Sequence, residues 1–369
     1  MSRHHIEAYS LTPFQFDRDR VVGDSQVRTA EVNVVAVELI DGEGRRGLGF
    51  AQSLFTRFPA QAEIERLFLA EAWPALEGVD PAAAALCVRR ARGGNVRRMV
   101  LPFEEAIQHA IWDLFAKQRD TPLWKMLGAE RSSVPVYASG LDYHLNDSEF
   151  TELFGAAYEQ GYRGFKIKVG APDIERDLHR LNLLRLAVGV DRPVMIDPNE
   201  AWTAQETVAA IKLFKSAGHD IYWVEDPVPR EDIDGLRLIR QTGLTRVNAG
   251  EYLDVKGKRR LLEAHACDML NVHGQVTDVM RAGWMANDDN VEVTLGNTFL
   301  EIGVNMAVAL PNVRWLEYSF QNFDQLVERP FEICDGLIHA RDEPGHGLTL
   351  NRASVADFSP AAQPVMASL

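Results

Sequence analysis

From Val134 onward the chain carries eight short apolar runs, VPVYAS, FKIKV, VMID, IYWVE, VNAGE, MLNVH, VEVTL and VRWLEY, separated by amphipathic stretches. Continuous apolar strands alternating with helices, one unit in about 20 to 30 residues, are the pattern of parallel βαβ repeats. Eight such units predict an α/β fold, a closed (β/α)8 barrel of the TIM type over residues 131–325, with an open doubly wound sheet as the alternative. In a barrel the chemistry sits at the C-terminal ends of the strands, so the last residue of each run matters most.

The flanks are of another texture. Val32 to Ile40, VNVVAVELI, reads as a strand, and LGFA follows it as a second. The turn between them spells G-x-G-x-x-G at Gly42, Gly44 and Gly47. A dinucleotide site requires a helix after that fingerprint, and here a strand follows, so the segment is a hairpin. Residues 60 to 128 read as helices, EEAIQHAIWDLFAKQ among them, and the arginines between 89 and 98 read as a solvated run. Residues 1–130 thus form an α+β capping domain. The remaining residues, 326–369, contain the turn-rich PGHGL and are expected to return to that cap.

Composition limits the partners. With 53 acidic against 39 basic side chains the net charge is −14, which repels phosphate backbones and anionic lipid, so neither nucleic acid nor a membrane is expected as partner. A small anionic substrate would have to meet a local cation. Cys87, Cys267 and Cys334 stand in no paired spacing, and no signal-like N-terminus or long apolar run occurs, so a cytoplasmic protein is expected.

The strand ends are unusually polar. Lys166 and Lys168, two apart on a strand, point to one face at the barrel mouth. Mutual repulsion and desolvation are expected to lower their pKa values and make one a usable general base. Asp197, Glu225 and Glu251 end three successive strands, with Asn199 and Asp226 beside them. Three converging carboxylates call for a hard divalent cation with oxygen ligands, best Mg2+. A base next to such an ion indicates removal of the proton α to a carboxylate, where stabilising the enediolate carries much of the barrier.

Together these motifs resemble the enolase superfamily, in the mandelate racemase and muconate-lactonizing-enzyme branch, over nearly the whole chain. The similarity runs through AIQHAIWDLFAKQRDTPLWKMLG, FKIKVG, MIDPNEAW, WVEDP, NAGEY, FLEIG and WLEY. By matching position the resemblance implies Asp197, Glu225 and Glu251 as Mg2+ ligands and Lys168 as the α-proton base, with Lys166 helping to neutralise the substrate carboxylate. It implies Glu317 as a protonated acid, of raised pKa, that donates a hydrogen bond to that carboxylate. It also implies substrate selection by the cap, with Phe16, Arg18 and Arg20 in a loop from Phe14 to Gln26 and Phe55 and Arg57 in LFTRF as candidates, and homo-oligomeric assembly.

Two positions depart from the pattern. Where mandelate racemase-like members place an Asp after strand 6 and a His after strand 7, this chain has His273 and Asn297. An imidazole can donate a proton near neutrality; an amide cannot exchange one. Dehydration of an aldonate or aldarate to a 2-keto-3-deoxy acid needs one base and one acid, and so tolerates this loss: Lys168 would take the C2 proton and His273 protonate the leaving hydroxyl. A racemase, epimerase or lactone cycloisomerase is the second reading, and a metal-binding scaffold without turnover the third.

Overall fold

The computed structural model describes residues 3–53, 57–83, 99–296, 299–354 and 365–366. Phe55, Asn297, Cys87 and the arginine run at 89–98 lie outside the described residues.

Strands β4 (Ser133–Ser139), β5 (Gly164–Lys168), β6 (Val194–Asp197), β7 (Trp223–Glu225), β8 (Arg246–Ala249), β9 (Met269–Val272), β10 (Glu292–Leu295) and β11 (Val313–Tyr318) pair in parallel in that order. The last closes on the first, Glu317 standing opposite Tyr137. These are the eight runs seen in the sequence, and the ring is a closed barrel rather than an open sheet. Helix starts follow local chemistry. Asn146 with Glu149, and Thr203 with Glu206, form reciprocal capping boxes, while Asp173, Asp232 and Asp254 cap three further helices.

Inside the barrel, Tyr137, Met195, Trp223 and Met269 pack as a buried layer with Trp315 against it. One layer further toward the strand ends the inward residues become Lys166, Asp197, Glu225, Asn248, Asn271, Thr294 and Glu317, all buried. The period of two along each strand therefore stacks a charged layer on an apolar plug, as barrel interiors are built.

The cap is an antiparallel sheet in the order β14–β1–β2–β3, from Val365–Met366, Ile6–Gly23, Arg28–Asp41 and Arg46–Gln52. Gly42 and Gly44 make the β2–β3 turn, as a hairpin requires. Helix α1 (Gln61–Glu71) and helix α2 (Phe103–Gln118) cover the sheet. The approach of α2 explains two glycines, since a Cβ on Gly47 or Gly49 would lie 2.0 Å from the carbonyl oxygen of Ala110 or Ala106. The segment from Phe14 to Gln26, expected as a loop, is strand as far as Gly23. Phe14 and Val22 are buried there, and its ladder with β2 breaks only between Asp17 and Val22.

The C-terminal segment touches both bodies. A hairpin of β12 (Ile333–Cys334) and β13 (Leu337–His339) extends the barrel sheet beside β4, and β14 pairs with β1 of the cap. Within PGHGL, the buried His346 bonds to the Leu48 carbonyl at 2.8 Å, and its N–H donates to Asp113 at 2.8 Å. Asp113 also accepts from Leu48 N–H and from the Lys117 ammonium, so one buried carboxylate ties α2, β3 and the C-terminal segment together.

Candidate active site

Lys166 and Lys168 end β5 inside a strand buried on both faces. The Lys166 ammonium lies 2.5 Å from Glu225, 3.0 Å from Glu317 and 3.4 Å from Asp197. That of Lys168 lies 2.5 Å from Asp197 and donates to Asn199 Oδ1 at 2.8 Å. The structure thus brings six sequence-predicted residues into one network: Lys166, Lys168, Asp197, Asn199, Glu225 and Glu317.

This pairing corrects two expectations. Burial pulls both lysine pKa values down, but Glu225 and Glu317 beside Lys166, and Asp197 beside Lys168, outweigh it, so both ammonium groups are held above their ordinary value. For Glu317, burial pushes the carboxyl up, and Lys166 and Lys168 outweigh that, so it is held low as a carboxylate rather than as the expected protonated acid. Ion pairing at about 3 Å in a dry interior exceeds the repulsion between two like charges further apart.

Glu251 stands at the rim after β8. Its N–H and that of Gly250 donate to the two oxygens of Asp226, at 3.1 and 2.9 Å. Asp226 itself holds a left-handed backbone, φ 33°. Burial and the neighbouring acids push Glu251 up to about 7, and burial pushes Asp226 up to about 7. Glu225 is raised by burial more than Lys166 lowers it, with Asp197 and Glu317 adding to the rise. Two ammonium groups leave this set of carboxylates short of positive charge. As the side chains stand, no three His, Cys, Asp or Glu groups among the described residues close around one point as a metal requires.

His273 follows β9, half-buried, and its Nε2–H donates to the Glu251 carbonyl at 3.0 Å. Burial pulls its pKa below the ordinary histidine value, and Glu105 on α2 opposes that. Glu105 escaped the sequence reading because nothing in a helix of the cap signals which barrel loop it meets. Asp142, just after β4, was also missed. Its two oxygens accept from Lys168 N–H at 3.1 Å and from Arg180 at 2.5 Å, and the rule that polar residues at strand ends matter would have found it.

The cap candidates separate. Phe16 packs against the barrel core, and the exposed Arg57 is ion-paired with Glu31. Arg18 and Arg20 reach the loop after β11, donating to the carbonyls of Gln321 and Phe320. Gln26 crosses to the Asn199 carbonyl, beside Lys168. At the opposite end of the barrel a groove is lined by Arg185, Arg240 and Arg246, whose guanidinium groups are already engaged by carbonyls, Asp268 and Glu292.

The model of the family described as enolase C-terminal domain-like matches residues 149–354, more than half of the chain. A crystal structure from Mesorhizobium loti, provisionally named a mandelate racemase, is 54% identical, covers 96% of this chain and 94% of its own, and superposes with a TM-score of 0.91. The 3,6-anhydro-alpha-L-galactonate cycloisomerase of Streptomyces coelicolor is 29% identical over 70% of this chain and 72% of its own. The L-talarate/galactarate dehydratase of Salmonella typhimurium is 25% identical over 90% and 84%. Its crystal structure with Mg and L-lyxarohydroxamate shares the fold, with a TM-score of 0.85 at 23% identity over 99% of this chain and 94% of that one. With the barrel, the capping sheet and these likenesses in agreement, the chain belongs to the enolase superfamily, in its mandelate racemase and muconate-lactonizing branch.

Proposed function

We propose that this protein catalyses Mg2+-dependent removal of the proton α to a carboxylate, and through it the dehydration of an acid sugar, an aldonate or aldarate, to a 2-keto-3-deoxy acid. The carrying observation is Lys168, a buried amine at a strand end, in contact with Asp197 and Asn199 inside a ring of acids. Asp197, Glu225 and Glu251 fit Mg2+ by their oxygen donors and by their surplus of negative charge, and they would hold it. The bound ion supplies electrostatic stabilisation to the charge that grows on the substrate carboxylate when the α proton leaves.

Everything else is done by the chain. Lys168, whose amine faces Asp197 and Asn199 at the strand end, is the group assigned to take the C2 proton. Lys166 sets a positive charge against the substrate carboxylate, and Glu317, anchored to Lys166, fixes that charge in place. His273, in its protonated form with the Nε2–H held by the Glu251 carbonyl, would give its Nδ1 proton to the departing C3 hydroxyl, which leaves as water. The dehydratase among the relatives supports this reading, as does an outcome that needs only one base and one acid. A cycloisomerase is the second reading, favoured by the Streptomyces relative and by the same pair of groups. A cytoplasmic setting and assembly into a homo-oligomer belong to the proposal.

The test is incubation with Mg2+ in D2O against mono- and diacid sugars, followed by NMR. Loss of water with a 2-keto product is expected; α-deuteration or ring closure without water loss would replace dehydration with isomerisation. A companion prediction concerns Asp226, whose two oxygens hold the Gly250–Glu251 turn. In Asp226→Asn one of those oxygens becomes an NH2 facing an N–H. Mg2+ affinity measured by calorimetry is expected to fall by about 10- to 100-fold, the usual effect of losing a group that orients a ligand.

A further inference from the structure

His273 sits in a short connection, residues 273–275, between β9 and the helix Val276–Asp288. Little in the connection's own sequence fixes it. Gly274 turns the chain with φ 99°, a region that glycine enters freely. Gln275 at the helix N-cap makes no side-chain capping bond, whereas Asn146, Asp173, Thr203, Asp232 and Asp254 cap the barrel helices before it.

The missing hydrogen bonds come from the cap. Gln108, His109 and Trp112 lie on one face of α2, at the spacing of neighbours on a helix, and each reaches this connection or the helix turn after it. His109 Nε2–H donates to the Gly274 carbonyl at 3.1 Å. The Thr277 hydroxyl donates to Gln108 Oε1 at 2.7 Å and accepts from Trp112 Nε1 at 3.4 Å. Glu105, one turn earlier on that face, lies 3.7 Å from where a Cβ on Gly274 would stand.

His109 shows most plainly what this docking is for. It is fully buried, and burial pulls its pKa down to about 4, so the ring is neutral. A carbonyl can only accept, which places the ring proton on Nε2. Nδ1 is left as a buried acceptor with no partner among the described residues, a costly arrangement. An apolar side chain would fill the space without that cost, so what the imidazole contributes is its one bond to the carbonyl beside His273. The His273 ring is itself held by the barrel, through the Glu251 carbonyl at 3.0 Å. The barrel thus fixes the ring and the cap fixes the main chain that bears it.

We propose that His109 and Gln108 are positioning residues for His273, and that α2 of the cap sets where the imidazole stands against the departing hydroxyl. This rests on the dehydration reading, in which Lys168 removes the α proton and His273 supplies one. Lys168 is held by Asp197, Asn199 and Asp142, none of them in the cap, so only the second half of the reaction depends on α2.

The test follows an acid sugar that the protein dehydrates, with Mg2+ in D2O, and compares α-deuterated substrate with 2-keto product by NMR. An enediolate that fails to expel its C3 hydroxyl as water takes a deuteron back at C2 from the exchanged Lys168 ammonium. A displaced His273 therefore shows as exchange in place of elimination. In His109→Leu, total α-proton removal is expected to stay within about twofold while the ratio of exchange to elimination rises about 10²-fold, the effect of moving a reacting group by about 1 Å. His109→Gln, which keeps an N–H donor, is expected to bring the ratio back to within about threefold of the parent. Added to His273→Ala, His109→Leu should change the ratio no further, because His109 acts through His273. Thr277→Val, which breaks the Gln108 bond, should shift the ratio in the same direction and decides the matter if His109→Leu does not fold.

An equal fall in exchange and elimination would overturn the proposal, since α2 would then only hold the fold together. So would a glutamine variant no better than the leucine one, a further loss in the double variant, or a ratio unmoved by Thr277→Val. Failure of the dehydration reading looks different: the unaltered protein releases water from no acid sugar, or His273→Ala eliminates as the parent does, and α2 then has no acid to place.

Discussion

Replacing Lys168 with alanine is expected to lower α-proton exchange by about 10²- to 10⁴-fold, the range for loss of a positioned general base. The same change removes the cation 2.5 Å from Asp197 and leaves that carboxylate buried with a weaker partner. Breaking a buried pair costs on the order of 3–5 kcal/mol, so without metal the variant should melt earlier than the parent. Mg2+ should restore most of that stability, because it would return positive charge to the same carboxylate. Exchange followed by NMR and melting followed by circular dichroism separate the two effects. A variant that kept its exchange rate would remove Lys168 from the chemistry. A parent protein inert toward every acid tested, and a variant no different from it, would favour a scaffold.

Chelation of Mg2+ is expected to abolish turnover and leave the fold intact. The reason is visible at the mouth of the barrel: Lys166 and Lys168 already neutralise part of the acidic ring, with contacts of 2.5 to 3.4 Å to Asp197, Glu225 and Glu317. The metal-free protein is therefore expected to stay folded, with its ammonium groups drawn into the acids. Adding Mg2+ back should raise the melting temperature in step with its concentration, since a ligand of the native state contributes RT ln(1 + [L]/Kd), about 2.7 kcal/mol at 100 times Kd. Activity that survives exhaustive chelation would refute a role for the ion, and an unfolded metal-free protein would refute the substitution of lysine for metal charge.

The eight barrel strands could be read because each is a short, buried apolar run whose last inward residue is polar, a pattern contained within five or six residues. Lys166, Asp197, Glu225 and Glu317 were found in this way. Strand β1 was not, since its polar outward half, with Gln15, Asp17 and Asp19 exposed, has the composition of a loop and is ordered by its ladder with β2. Glu105 was not legible either, because its approach to His273 depends on how α2 of the cap docks on the loop after β9. Gln108 and His109, which bond Thr277 and the Gly274 carbonyl, show that docking only once the fold is known.

By itself, then, the order of residues determined the eight barrel strands and brought Lys166, Asp197, Glu225 and Glu317 to their ends, because strand period, capping and turn chemistry act between neighbours in the chain. The tertiary structure alone decided the charge each of those side chains carries. Lys166 meets Glu225 and Glu317 across 59 and 151 positions of sequence, and a pKa is set by such distances and by the loss of water around them, neither of which a local pattern contains.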